Sequence, residues 1–159
     1  MNKLLISIDD IARLSGFDGN IDDNSIKPFI FMAQNSEIKR ILGNDLYNKL
    51  VFEHENNTLA GDYLAIYKDY VSIILAYFTC SFYLQLGIAK VSQSGAYLVT
   101  PEKTEQIFDE KTSKMAQKYE MQAIGLEHRL ITYLDTLTII EWKPVCKRSA
   151  KSSFNWIKI

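Results

Sequence analysis

The chain has 159 residues, 47% of them hydrophobic and 23% charged, with seven glycines and three prolines. That is long enough for one domain with a sizeable core, and the composition argues against low-complexity or disordered material. The formal net charge of −1 conceals an asymmetry, because Lys143, Lys147, Arg148, Lys151 and Lys158 stand in residues 143–159 without a single acid. A basic tail on an acidic body points to an anionic partner, nucleic acid or the body of another copy, or equally to a tail that is simply solvated.

At the N-terminus, MNKLLISIDDIARL has one lysine and a short apolar patch broken by Asp9 and Asp10, which is not the pattern of a signal peptide. Ser7-Ile-Asp-Asp10 has the form of a capping box ahead of Ile11 and Leu14, and Gly16 ends a helix of about two turns. The loop FDGNIDDNS follows, in which Asp22, Asn24 and Ser25 can each cap the next helix and Pro28 falls in its first turn. Ile26, Ile30, Ala33, Ile38 and Ile41 recur at helical spacing up to Gly43, a left-handed stop. A third helix runs from Asn44 to about Glu55 with Leu46, Tyr47, Leu50 and Val51 on one face. After the polar break HENNT, Thr58 caps a long helix from Leu59 to about Val91.

That helix contains the uncharged run Tyr70 to Ala89, bounded by Asp69 and Lys90. It is apolar all round, so it belongs either in the centre of a domain or in lipid. Ser72, Thr79, Ser81, Gln85 and three scattered tyrosines do not make a membrane belt, and no basic cluster sets an orientation. Amphipathic helices on either side need a partner, so the expected role is the central pillar of a soluble bundle. SQSGA (92–96) is a turn, and Thr100-Pro101-Glu102 starts the last helix. Its stripe is Phe108, Met115, Tyr119, Ala123, Leu126, Leu130, Leu134 and Leu137, with Gly125 marking close packing or a bend. The predicted architecture is all-α: a helical bundle over 1–137 around a central long apolar helix, then a C-terminal tail over 138–159. Thr138–Trp142 and Phe154–Ile159 read as short extended or β segments.

Signatures of chemistry are weak. Asp18-Gly-Asn20-Ile-Asp22-Asp23 starts like a calcium loop, but Asp23 stands where glycine is needed and Phe29 where the bidentate acid is needed. Glu53, His54 and Glu55 point to different helix faces, and His128 has no partner at zinc spacing. Cys80 and Cys146 show neither pairing nor metal spacing, as in a reduced cytosolic protein. Ser94-Gly95 belongs to no phosphate loop, and no serine has a nucleophile-elbow context. The expectation is therefore a protein without catalytic residues, cofactor or metal. The tail offers the candidate contact residues: Trp142, Phe154 and Trp156, interleaved with Lys143, Lys147 and Arg148. Either the tail folds back on its own bundle, or it adds to a neighbouring subunit with the aromatics as anchors. Single-stranded nucleic-acid binding is a weaker third reading, because repeated stacking platforms are missing.

Ile26-Lys-Pro-Phe-Ile30, Ala33-Gln34, Ile38-Lys-Arg-Ile-Leu-Gly43 and Asn44-Asp-Leu-Tyr47, then the long apolar helix, the Ser92–Ala96 turn and Ile131-Thr-Tyr-Leu134, resemble the head–tail connector proteins of tailed bacteriophages. The resemblance implies a structural virion protein at the head–tail junction, assembled in the host cytoplasm. It implies a homo-oligomeric ring, a dodecamer, that sits under the portal protein, extends the DNA channel and docks the tail or further connector proteins. Non-specific contact with channel DNA goes with such a place; a membrane and catalysis do not. Two other classes stay open: a helical adaptor in a non-viral complex, and a small membrane-associated protein spanning with 70–89.

Overall fold

The computed structural model describes residues 4–17, 23–86, 89–92, 95–98 and 105–143. Within them the chain is mostly helical, and its core is a bundle. The first helix, α1 (Ile8–Ser15), opens on the reciprocal capping box read from the sequence. Ser7 Oγ accepts from the Asp10 amide at 3.1 Å while Asp10 Oδ2 accepts from the Ser7 amide at 3.0 Å. Gly16, at φ 63°, closes it in the left-handed conformation. Ile11 is its buried residue.

The second helix, α2 (Asp23–Ala33), passes through a π-helical turn, Gln34–Ile38, into α3 (Lys39–Asn56). Because α2 begins at Asp23, Pro28 lies inside the helix rather than in the first turn, without an amide to offer the Asn24 carbonyl. Ile26, Ile30, Ala33, Ile38 and Ile41 are all buried, as their spacing predicts. Gly43, at φ 75° and ψ 167°, breaks α3 in two. That region is accessible to glycine almost alone. Beyond it Leu46, Tyr47 and Leu50 are buried and Val51 packs at the core's edge.

The long helix expected from Leu59 to Val91 is shorter and segmented. Thr58 does not cap it. Its hydroxyl donates to the Glu53 carbonyl at 3.3 Å, and the N-cap is Ala60. A helical rod then runs as α4 (Gly61–Ile66), a π-helical turn (Tyr67–Val71) and α5 (Ser72–Leu86). The uncharged, largely apolar helix is only the 15 residues of α5, so the expected long apolar pillar is absent. Tyr70 and Val71 fall in the π-helical turn and Ala89 in a strand, with helix-weakening Gly87 between in the sequence. Among the described residues no helix is long and apolar enough to cross a membrane. Ile74, Leu75, Ala76, Phe78 and Cys80 are buried on α5, which packs against α6 (Glu105–Leu134), α2 and α1. The polar residues of α5 are satisfied locally: Ser72 and Thr79 donate to the Lys68 and Leu75 carbonyls at 3.0 and 2.7 Å.

Between α5 and α6 lies an antiparallel hairpin, β1 (Ala89–Ser92) and β2 (Gly95–Leu98), with Ala89 opposite Leu98 and Ser92 opposite Gly95. It corrects two expectations, since residues 89–91 leave the helix and the SQSGA turn opens into paired strands. On α6, Ala123, Leu130 and Leu134 are buried, whereas Met115 is exposed and Ala116 takes the inward position. Gly125 marks no close packing, because a Cβ there would meet nothing within 4 Å. After α6, residues 135–143 form turns and irregular backbone, so Thr138–Trp142 is not a strand. The Thr100-Pro101-Glu102 start, the Asp18–Asp22 loop and the Phe154–Ile159 segment lie outside the described residues.

Candidate interaction surface

Residues 135–143 fold back as a strap across one end of the bundle, held by three side-chain contacts. Trp142 is 8% exposed, in the core cluster, and its indole N–H donates to Asp135 Oδ1 at 3.0 Å. Tyr63, in the first turn of α4, donates its hydroxyl to Glu141 Oε2 at 2.7 Å. Lys143 Nζ reaches Asp45 Oδ2, just past the Gly43 kink, at 2.6 Å. Of the sequence-derived contact residues, Trp142 is therefore an anchor for its own bundle, and Lys143 pairs within its own chain. A large aromatic in a terminal segment is buried at home because the α6 end leaves apolar surface that Trp142 and the half-buried Leu137 and Ile139 cover. Lys147, Arg148, Phe154 and Trp156 lie outside the described residues.

The strap brings acidic groups together. The bond to Glu141 first, then burial and the fields of Glu141, Glu53 and Asp62, push the Tyr63 phenol up to about 12. The same bond holds the Glu141 carboxyl below its ordinary range. Lys49 pairs with Glu53 at 3.0 Å and lies over the Tyr63 ring at 5.7 Å. The corner where α3 meets α4 is thus a patch of Asp45, Glu53, Asp62 and Glu141, answered in part by Lys49 and Lys143.

The other end of the bundle carries opposite charge. The solvent side of α6 shows Lys111, Lys114 and Lys118, all exposed, around Met121 at 72% exposure. Met115 and Ile124 flank it at 47% and 41%. A cleft of about 470 Å³ runs between α6 and the end of α1, walled by Ser15, Tyr77, Lys114, Met115, Lys118 and Tyr119. Tyr119 donates to the Ser15 carbonyl at 3.5 Å at its floor. Nearby, burial pushes the Cys80 thiol up to about 11, and its S–H donates to Ser15 Oγ at 3.3 Å. That thiol is a small core group rather than a nucleophile. Further apolar groups stand in solvent on other elements: Phe31, Met32, Phe52, Leu86 and Ile140. Among the described residues, no group of three or more His, Cys, Asp or Glu side chains is arranged to hold a metal ion.

Two features escaped sequence reasoning. Gln34 is fully buried, its Oε1 accepting from the Leu5 amide at 2.9 Å and its Nε2 donating to Tyr47 Oη at 3.2 Å. Tyr67 donates to the Leu5 carbonyl at 2.6 Å, so both main-chain groups of Leu5 are held by side chains. The signal for Gln34 was present, since it stands four residues from both Ile30 and Ile38 on an apolar stripe. The Tyr63–Glu141 pairing has no local signal, because 78 residues separate the partners.

These features define a small, mostly helical bundle with a clasped C-terminal strap and a methionine-bearing outer helix. The chain belongs to a family of unknown function (DUF6712), whose model matches residues 38–152, well over half of it. The match takes in α3 through the strap and leaves α1 and α2 before it. No curated protein and no solved structure matches the chain.

Proposed function

We propose that this protein is a head–tail connector of a tailed bacteriophage, a non-catalytic structural protein of the virion. It assembles as a homo-oligomeric ring, a dodecamer, beneath the portal protein, extends the DNA channel and receives the tail. The observation that carries the reading is the set of large apolar side chains left in solvent on α2, α3, α5, α6 and the strap. Phe31, Phe52, Leu86, Met121 and Ile140 are each between 48% and 90% exposed. Large apolar groups left in solvent suit burial against other chains. The sequence resemblance supports the same reading through residues that build the core: Ile26, Ile30, Ala33, Gln34, Ile38, Ile41, Leu46 and Tyr47 are all buried.

The experiment is size determination of the full chain by light scattering, alone and with a tailed-phage portal protein. A closed oligomer that co-migrates with portal is the expected result. A ring that ignores portal would favour an adaptor of another complex, and a chain that stays monomeric in both conditions would remove the connector reading.

A further inference from the structure

We infer that in the ring proposed above, on which this inference rests, the outer face of α6 in one copy seats the acidic α3–α4 corner of the next. Met121 lies at the centre of the contact, and Lys114 and Lys118 meet Asp45 and Asp62. Among the described residues nothing covers the α6 face around Met121. Met121 is the most exposed methionine described, and the backbone at Gly125, one turn on, has nothing within 4 Å of where a Cβ would stand. Methionine adapts to irregular surfaces, and a bare glycine admits close approach. Around these groups Lys111, Lys114 and Lys118 set a positive field, with Glu110 paired to Lys114 at 2.5 Å and Glu120 exposed to one side.

Charge complementarity identifies the occupant. Asp45 is 55% exposed although paired with Lys143, Asp62 is exposed at the start of α4, and Glu53 and Glu141 deepen the negative field. The two patches cannot satisfy one another inside one chain. Tyr63 marks the acidic end of the α4–α5 rod, and Tyr77, fourteen helical residues on, lines the basic cleft, a separation of about 20 Å at the helical rise per residue. A contact between unlike patches on identical chains is heterologous, and a heterologous contact whose rotation closes makes a ring. Pairing α6 with α6 would set lysine against lysine. The cleft beside Lys114 and Lys118 has room for acidic side chains of the incoming corner.

The test is a charge swap in the full chain, with folding checked by circular dichroism and thermal melting. One variant carries Lys114→Glu and Lys118→Glu, the other Asp45→Lys and Asp62→Lys. Each alone presents like charges at every contact. Each should need a roughly tenfold or higher protein concentration to assemble, because like-charge juxtaposition is strongly unfavourable. Mixed in equal amounts, the two should assemble in alternation, each altered face meeting a complementary one. Assembly of either variant at the wild-type concentration, or a mixture that fails to recover, overturns the α6–corner contact while leaving the ring standing. A wild-type chain that never assembles removes the ring itself, and the two failures are thus told apart.

Discussion

Gln34 decides how the N-terminal segment attaches to the bundle. The Leu5 amide is buried and its acceptor is the Gln34 carboxamide. An unsatisfied buried donor costs about 1–3 kcal/mol, so Gln34→Leu is expected to lower unfolding free energy by roughly that amount in urea titration. A variant as stable as wild type would mean that water or a shifted backbone replaces the bond. At the surface, Tyr63 and Glu141 give a pH signature. The Tyr63 phenol is raised from 10.0 to about 12, so the fold favours its neutral form. The associated stability is complete below about pH 10, and is lost as pH rises towards about 12. Glu141 is lowered, so its share is present above the ordinary carboxylate value and disappears as pH falls through the folded-state value. Tyr63→Phe should abolish the part of the alkaline transition that belongs to Tyr63 in a tyrosine absorbance titration, with little loss of neutral-pH stability because the pair sits at the surface. An unchanged alkaline transition would contradict the pairing.

The helices reward sequence reading unevenly, and the reason is physical. Where the signal is local, reading succeeds: Ser7 and Asp10 cap α1, Gly16 ends it, and the spacing of Ile26, Ile30, Ile38 and Ile41 places α2 and the start of α3. Where two local preferences compete, it fails. Thr58 is a good cap by type, yet its hydroxyl completes the end of α3 instead, and Ala60 and Gly61 begin the next helix. Residues 89–91 continue the helical reading of the sequence but pair with residues 96–98, a partnership set by tertiary context. Met115 and Ala116 are adjacent, and only packing chooses which turns inward. The candidate contact residues were legible as residue types, an aromatic and a lysine in a terminal segment. The destination of Trp142 in its own core depends on Asp135 and on surface left by α6, neither visible as a pattern. Gly43 tests the element scale. At φ 75° and ψ 167° an alanine is strained by about 1–3 kcal/mol, and Gly43→Ala should lower the melting temperature. No change would show that α3 straightens without penalty.

For the whole molecule, the strap, residues 135–143, holds one end of the fold. Deleting 138–159 removes Trp142 from the core together with the Tyr63–Glu141 and Asp45–Lys143 contacts. It should destabilise the bundle itself by about 3–5 kcal/mol, the usual range for losing a buried large aromatic. Deleting 144–159 spares every one of those contacts. It should leave the melting temperature near wild type, and it isolates any part that Lys147, Arg148, Phe154 and Trp156 play in assembly or docking. Equal destabilisation by the two deletions would show that the strap is not what holds the end of the bundle. The central claim, a ring-forming connector, is tested most directly by the mass of the full chain in solution with and without portal protein. The account predicts a closed oligomer near the mass of a dodecamer that binds portal. A monomer at every accessible concentration, unaltered by portal, would contradict it.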